Sequence, residues 1–125
     1  MSKIIESPVG VFPGFVTLPE FLTLPQVQQF ERAMYEIRVL AARLKGDIEN
    51  GIDPDQSIVD SDFDAVTLPA VCSIIESWDL KYNGEPLEQP SPNSFPGSPR
   101  VAAGELLKWL IDEISDLYSP EIPNP

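Results

Sequence analysis

The chain has 125 residues, 20 Asp and Glu against 8 Lys and Arg (net −12), 14 prolines, one cysteine and no histidine. That length suits one domain, which buries roughly two-thirds of the surface its unfolded chain exposes. Histidine is the usual general base near neutral pH and the commonest transition-metal ligand, so its absence excludes His-dependent catalytic triads and ordinary zinc sites. A lone cysteine excludes an intrachain disulfide. The acidic balance disfavours nucleic-acid backbones and membrane surfaces as partners.

Residues 1–8, Met-Ser-Lys-Ile-Ile-Glu-Ser-Pro, lack the long apolar run of a signal peptide. No uninterrupted apolar stretch approaches the roughly 20 residues of a membrane span, and a cytoplasmic protein is the expectation. Residues 1–22 read as an extended arm. Gly10, Pro13, Gly14 and Pro19 interrupt it, which prevents a long helix. It also carries Phe12, Phe15 and Phe21, apolar content that has to pack on its own core or on a neighbour.

Proline-free windows are where helices can run, because Pro lacks an N–H and clashes with the preceding turn. In the first window Val27, Phe30, Met34, Ile37, Ala41 and Leu44 step by threes and fours into one stripe. Thr23 with Gln26 three residues on makes a capping box, and Leu24-Pro25 occupies first-turn positions. The helix is expected over 24–45 with Lys45-Gly46 as its stop, a continuation to Asn50-Gly51 being left open. From Gly46 to Leu80 there are nine acids and no Lys or Arg. The stretch 47–64 reads as a solvated acidic connection whose carboxylates precede the next helix, where the helix dipole favours negative charge.

That second helix is expected over 67–78, because Thr67-Leu68-Pro69 repeats the opening Thr23-Leu24-Pro25 and is followed by Val71, Cys72, Ile74, Ile75 and Trp78. It is short and nearly all apolar, so it is expected to be buried, with Trp78 as a core plug at its end. The connection 79–97 holds Asn83-Gly84, a tight-turn signal, so a short ribbon of Leu80-Lys81-Tyr82 against Pro86-Leu87 is one reading near 80–87. The third helix, 99–118, opens with Ser98 as cap and Pro99 at its first position. It carries the strongest stripe of the chain, centred on Leu106, Leu110 and Ile114, and ends at Ser119-Pro120, beyond which 119–125 reads as a flexible tail. The fold class is therefore mainly α: a single domain made of a small bundle of three principal helices with an irregular arm and a long connection.

Catalytic and metal-binding arrangements are scarce. Asp60-x-Asp62-x-Asp64 has the spacing that opens a calcium loop, but the sixth position is Ala65 where Gly is needed and the twelfth is Val71 where a bidentate Glu is needed. Cys72 lies in an apolar run with no His to activate it, so it reads as a packed thiol. No Gly-rich loop matches a phosphate-binding fingerprint. The expectation is a protein that is not an enzyme and has no metal or cofactor. The apolar residues that exceed what a three-helix core needs are Phe12, Phe15 and Phe21 in the arm and Trp109, which lies off the Leu106/Leu110/Ile114 line and widens that face. These four are the candidate partner-binding residues.

The order of parts is an arm ending in Leu22-Thr23-Leu24-Pro25-Gln26, Phe30-Glu31 on the helix, then Trp78-x-Leu80 and Gly84-x-Pro86-Leu87. A last helix opens near Phe95-Pro96 and ends in Leu117-Tyr118. Over about residues 12–118 this resembles the tail assembly chaperones of long-tailed bacteriophages. The resemblance implies a small helical, often acidic protein of the infected bacterial cytoplasm that binds the tape-measure protein or tail-tube subunits, and that is absent from the finished virion. Family members also exist in a longer, frameshifted form. Self-association through the same apolar residues is left open. Two other readings stand beside it: an acidic inhibitor that mimics nucleic acid with its 47–64 run, and a structural tail or head-completion subunit.

Overall fold

The structure, a computed structural model, describes residues 2–118. It contains three long helices and five short strands in the order β1 (Lys3–Glu6), β2 (Phe15–Leu18), α1 (Leu24–Glu49), α2 (Gln56–Ile74), β3 (Ser77–Trp78), β4 (Lys81–Tyr82), β5 (Glu85–Pro86) and α3 (Arg100–Tyr118). The helical class is as expected; a small antiparallel sheet is added to it. The expected tail 119–125, and the Ser119-Pro120 helix stop with it, lie outside the described residues.

The arm is the largest departure from expectation. Its two halves form antiparallel strands, β2 lying in the centre between β1 and β3. The register puts Ile5 opposite Val16 and Val16 opposite Trp78, so these three form one row on the inner face. The loop between β1 and β2 is closed by the Ser7 N–H donating to the Gly14 carbonyl (2.9 Å), and by Phe12 N–H to Val9 O (3.0 Å). This fold-back delivers Val9 and Phe12 into the core, Phe12 with 0% of its surface exposed and its ring 5.8 Å from that of Tyr82. Gly14 has φ +134, and a Cβ there would stand 2.6 Å from the Asp79 carbonyl oxygen. No residue with a side chain fits where the two segments cross.

α1 begins as its sequence dictates. The Gln26 N–H donates to Thr23 Oγ1 (3.4 Å) and the Thr23 N–H to Gln26 Oε1 (2.9 Å), completing the capping box. The helix runs through Lys45-Gly46 to Glu49, as the longer alternative had it, and Gly51 with φ +79 follows the cap Asn50.

α2 corrects two expectations. It starts at Gln56, eleven residues ahead of Thr67, so most of the acidic connection is helix and only 50–55 is loop. Thr67 is not its cap. The Thr67 hydroxyl is buried inside the helix and donates back to the carbonyls of Phe63 (3.0 Å) and Asp64 (3.4 Å). Pro69 is tolerated in mid-helix because the carbonyl it deprives of a donor belongs to Ala65, which is exposed to water. The helix stops at Ile74, so Trp78 is a core plug on β3 rather than on a helix end. Its indole N–H donates to the Glu88 carbonyl at 2.7 Å, and its backbone pairs with the Gln89 amide (3.1 and 2.9 Å). The same ring lies 5.7 Å from Phe95, so one tryptophan organises much of the long connection. Within that connection β4 and β5 form the expected ribbon, turned by Asn83 (φ 52) and Gly84 (φ 80), the backbone of a tight two-residue hairpin.

α3 starts one residue later than expected. The Ala103 N–H bonds to the Pro99 carbonyl (2.9 Å), so Pro99 takes the cap position and Arg100 the first helical one. Leu106, Leu110 and Ile114 are fully buried against Val16, Leu18, Phe30, Val71 and Ile74. This core fills one end of the molecule. Among the described residues, every buried one lies in 9–33 or 67–114, and none lies between Ala33 and Thr67. The outer halves of α1 and α2 therefore project from the core as a two-helix hairpin.

Candidate partner-binding surfaces

Two exteriors carry more apolar surface than the core uses. The first is the outer face of the sheet and the turn that follows it. The register pairs Glu6 with Phe15 and Ile4 with Thr17 on the side opposite the Ile5–Val16–Trp78 row. Phe15 is 46% exposed there, and beyond β2 Phe21 is 73% exposed. Phe21 borders a shallow depression shared with Ser2, Gln26 and Glu76. Of the expected partner-binding residues, Phe15 and Phe21 are thus on the surface. Phe12 is corrected: it belongs wholly to the core and offers nothing to a partner. Trp109 is half-buried and packed against the core cluster. No described ring contact joins Phe15, Phe21 and Trp109.

The second exterior is the hairpin. The residues that face α2 from α1 are Ala33, Leu40 and Leu44, met from α2 by Val59, Phe63, Val66 and Ala70. The spacing 59-63-66-70 is a helical stripe, and it is the signal that marks α2 as reaching back to Gln56; the eye is drawn from it by Asp60, Asp62 and Asp64 between. On the side of the pair that α3 does not cover, two clefts open. An outer cleft of about 210 Å³ lies near the loop and an inner one of about 280 Å³ lies towards the core. Ile58, 59% exposed, stands at the rim of the outer one.

The acids of α2 divide between two sides of the helix. Asp60 and Asp64, one turn apart, face Arg100 of α3 at 3.7 and 2.9 Å. Asp62 lies about 160° round the helix from each of them and lines the outer cleft. That split is the physical reason the Asp60/Asp62/Asp64 spacing makes no cation site. Among the described residues no three His, Cys, Asp or Glu side chains come together as metal ligands. Cys72 is buried, and burial alone pushes its thiol from 9.0 up to about 11. It stays protonated and unreactive at neutral pH. No helix among the described residues is long and apolar enough to cross a membrane.

No protein family, curated protein or solved structure matches this chain.

Proposed function

We propose that this protein is a non-enzymatic assembly chaperone of the long-tailed bacteriophage kind, which covers apolar surfaces of tape-measure or tail-tube protein in the host bacterial cytoplasm until the tube encloses them. The observation that carries the reading is the placement of the apolar surplus. Phe15 and Phe21 lie outside a core that is already complete, and the outer hairpin exposes Ile48, Ile52 and Ile58 while none of its described residues is buried. A protein with a net charge of −12 keeps such surfaces soluble, and keeps a bound apolar client soluble with them.

Co-expression with a tape-measure fragment and pull-down tests the proposal. The client is retained by the native chain at high salt and lost from a Phe15→Ser/Phe21→Ser variant that folds normally. Retention by that variant, together with full retention when the hairpin is altered, contradicts it.

A second reading, the nucleic-acid-mimicking inhibitor, draws support from one observation: of the five aspartates from Asp53 to Asp64, three stand on α2 and two in the short loop that leads into it. Two of them, however, are engaged by Arg100, which leaves a sparse acidic face. Partner binding abolished between about 0.05 and 0.3 M salt would favour mimicry, since exposed charge pairs are screened over about 6–14 Å in that range.

A further inference from the structure

We infer that the groove between α1 and α2 is a docking site for one amphipathic α-helix, cationic in its N-terminal half, lying along the hairpin with its N-terminus towards the 50–55 loop. This rests on the reading of the chain as a binder of apolar helical protein and names the site, chemistry and polarity of the client.

Three observations carry it. The first is continuity. The two clefts lie on the same side of the pair: on α1 the row Gln29, Ala33, Glu36, Leu40, Arg43 and Asp47 steps by threes and fours past both of them. On α2 the matching row is Ile58, Asp62, Ala65 and Pro69. The side of α2 held by α3 through Asp60 and Asp64 is a different one, so the body of the molecule does not obstruct the groove. From Gln29 to Asp47 the floor extends about 27 Å at 1.5 Å per residue, which matches a helix of about 18 residues, five turns.

The second is shape. Secondary structure becomes stable when packed layers share a core, and on the groove side the outer hairpin has no second layer over it. Between polar borders, its apolar residues Leu40, Leu44, Val59, Phe63 and Val66 are only half-buried, while the α2 rim is low at Ala65 and Pro69, both exposed. Small rim residues let a third helix approach closely, and apolar side chains at i, i+3, i+4 and i+7 of that helix would reach Leu40, Leu44 and Phe63.

The third is charge, which chooses the occupant and its direction. The outer cleft carries Asp47, Asp55 and Asp62 against Arg43 alone, whereas the inner one carries Arg32 against Glu36. The groove is therefore more negative at the loop end. Cationic side chains and the positive end of a helix dipole are both favoured there. A second copy of this chain, with its own net charge of −12, is the disfavoured occupant.

The experiment uses the full chain and a fluorescein-labelled 20-residue synthetic peptide with a Leu stripe at helical spacing, Lys and Arg in its first half and Glu in its second, read by anisotropy. The control peptide keeps the stripe and exchanges the two charged halves. Micromolar binding is expected, weakened about tenfold or more, 1.4 kcal/mol, by Ala65→Arg, which fills the low rim from an exposed position. Asp47→Lys/Asp62→Lys is expected to abolish the preference for the first peptide over the control. Tyr35→Ser, an exposed change on the side of α1 away from the groove, is expected to bind the peptide as the native chain does.

Equal binding of both peptides overturns the polarity. Peptide binding that survives Ala65→Arg but is lost in the Phe15/Phe21 variant overturns the groove while leaving the chaperone reading intact. A concentration-dependent dimer in light scattering that Ala65→Arg dissociates overturns the occupant, since the groove would then be filled by a second copy.

Discussion

The inner and outer halves of this molecule are built to different standards. At the inner end, strands β1 to β3, α3 and the proximal turns of α1 and α2 enclose Phe12, Val16, Leu18, Phe30, Leu106 and Leu110, all essentially without exposed surface. At the outer end, 34–66, two helices face one another, touched by α3 through Arg100 at Asp60 and Asp64 but uncovered on the groove side, and their apolar residues stop at half-burial. The same helices run through both halves, so the contrast reflects what covers them rather than how they form. A fold that invests its packing at one end and leaves the other as a single layer has a rigid base and a surface to offer.

Substitutions sharpen that contrast. The largest effect is expected inside the base: Phe12→Ala should cost about 3–5 kcal/mol in urea unfolding, the range for an aromatic removed from a closed core. If it proves neutral, residues 7–14 are an arm after all. Gly14→Ala should follow, at about 2–4 kcal/mol, because the new methyl meets the Asp79 carbonyl in a backbone conformation L-residues avoid.

The third effect is on pH. With the Cys72 thiol held up to about 11 in the folded chain against 9.0, the folded state keeps a proton that the unfolded state releases. Stability should therefore fall as pH rises from 9 towards 11, by about 1.4 kcal/mol per unit from this group. Cys72→Ala should remove that slope while leaving the neutral-pH curve merely shifted. An unchanged slope would show the thiol to be accessible.

In the outer half, Leu40→Ala and Phe63→Ala should each cost less than about 1.5 kcal/mol, well below the usual core range, since neither is fully enclosed. Costs equal to those at Leu110 would erase the distinction between the halves. Smallest of all, Asp62→Lys should stay within about 0.5 kcal/mol in stability.

Much of the base was legible from local chemistry. Thr23, Pro25 and Gln26 start α1 through groups that have only one good use, and Asn83-Gly84 turns the ribbon because both residues accept positive φ. The burial of Cys72 and Trp78 followed from an apolar run. Legibility failed where a residue's meaning depended on contacts far along the chain. Pro69 looked like a helix start, yet it sits within α2 because Ala65 is open to water. Thr67 looked like a cap, yet its hydroxyl bonds backwards to Phe63. Phe12 looked surplus to a three-helix core because the strand pairing that turns it inwards joins 3–6 to 15–18 and 15–18 to 77–78. Such pairing has no local signature. For the candidate site, Phe15 and Phe21 were visible as excess aromatics, whereas the groove was hidden by aspartates that made half of α2 read as a loop.

Hydrogen exchange of the full chain, alone and with saturating cationic amphipathic peptide, bears most directly on whether the outer hairpin is a docking surface. Alone, the amides of 34–66 should exchange well ahead of those in β2 and α3, as a single layer with few enclosed contacts does. With the peptide, exchange should slow across 36–47 and 56–66 and stay unchanged at Phe15 and Phe21. Slowing confined to residues 15–24, or no slowing anywhere in 34–66, would contradict the division of the molecule into a base and a client-holding hairpin.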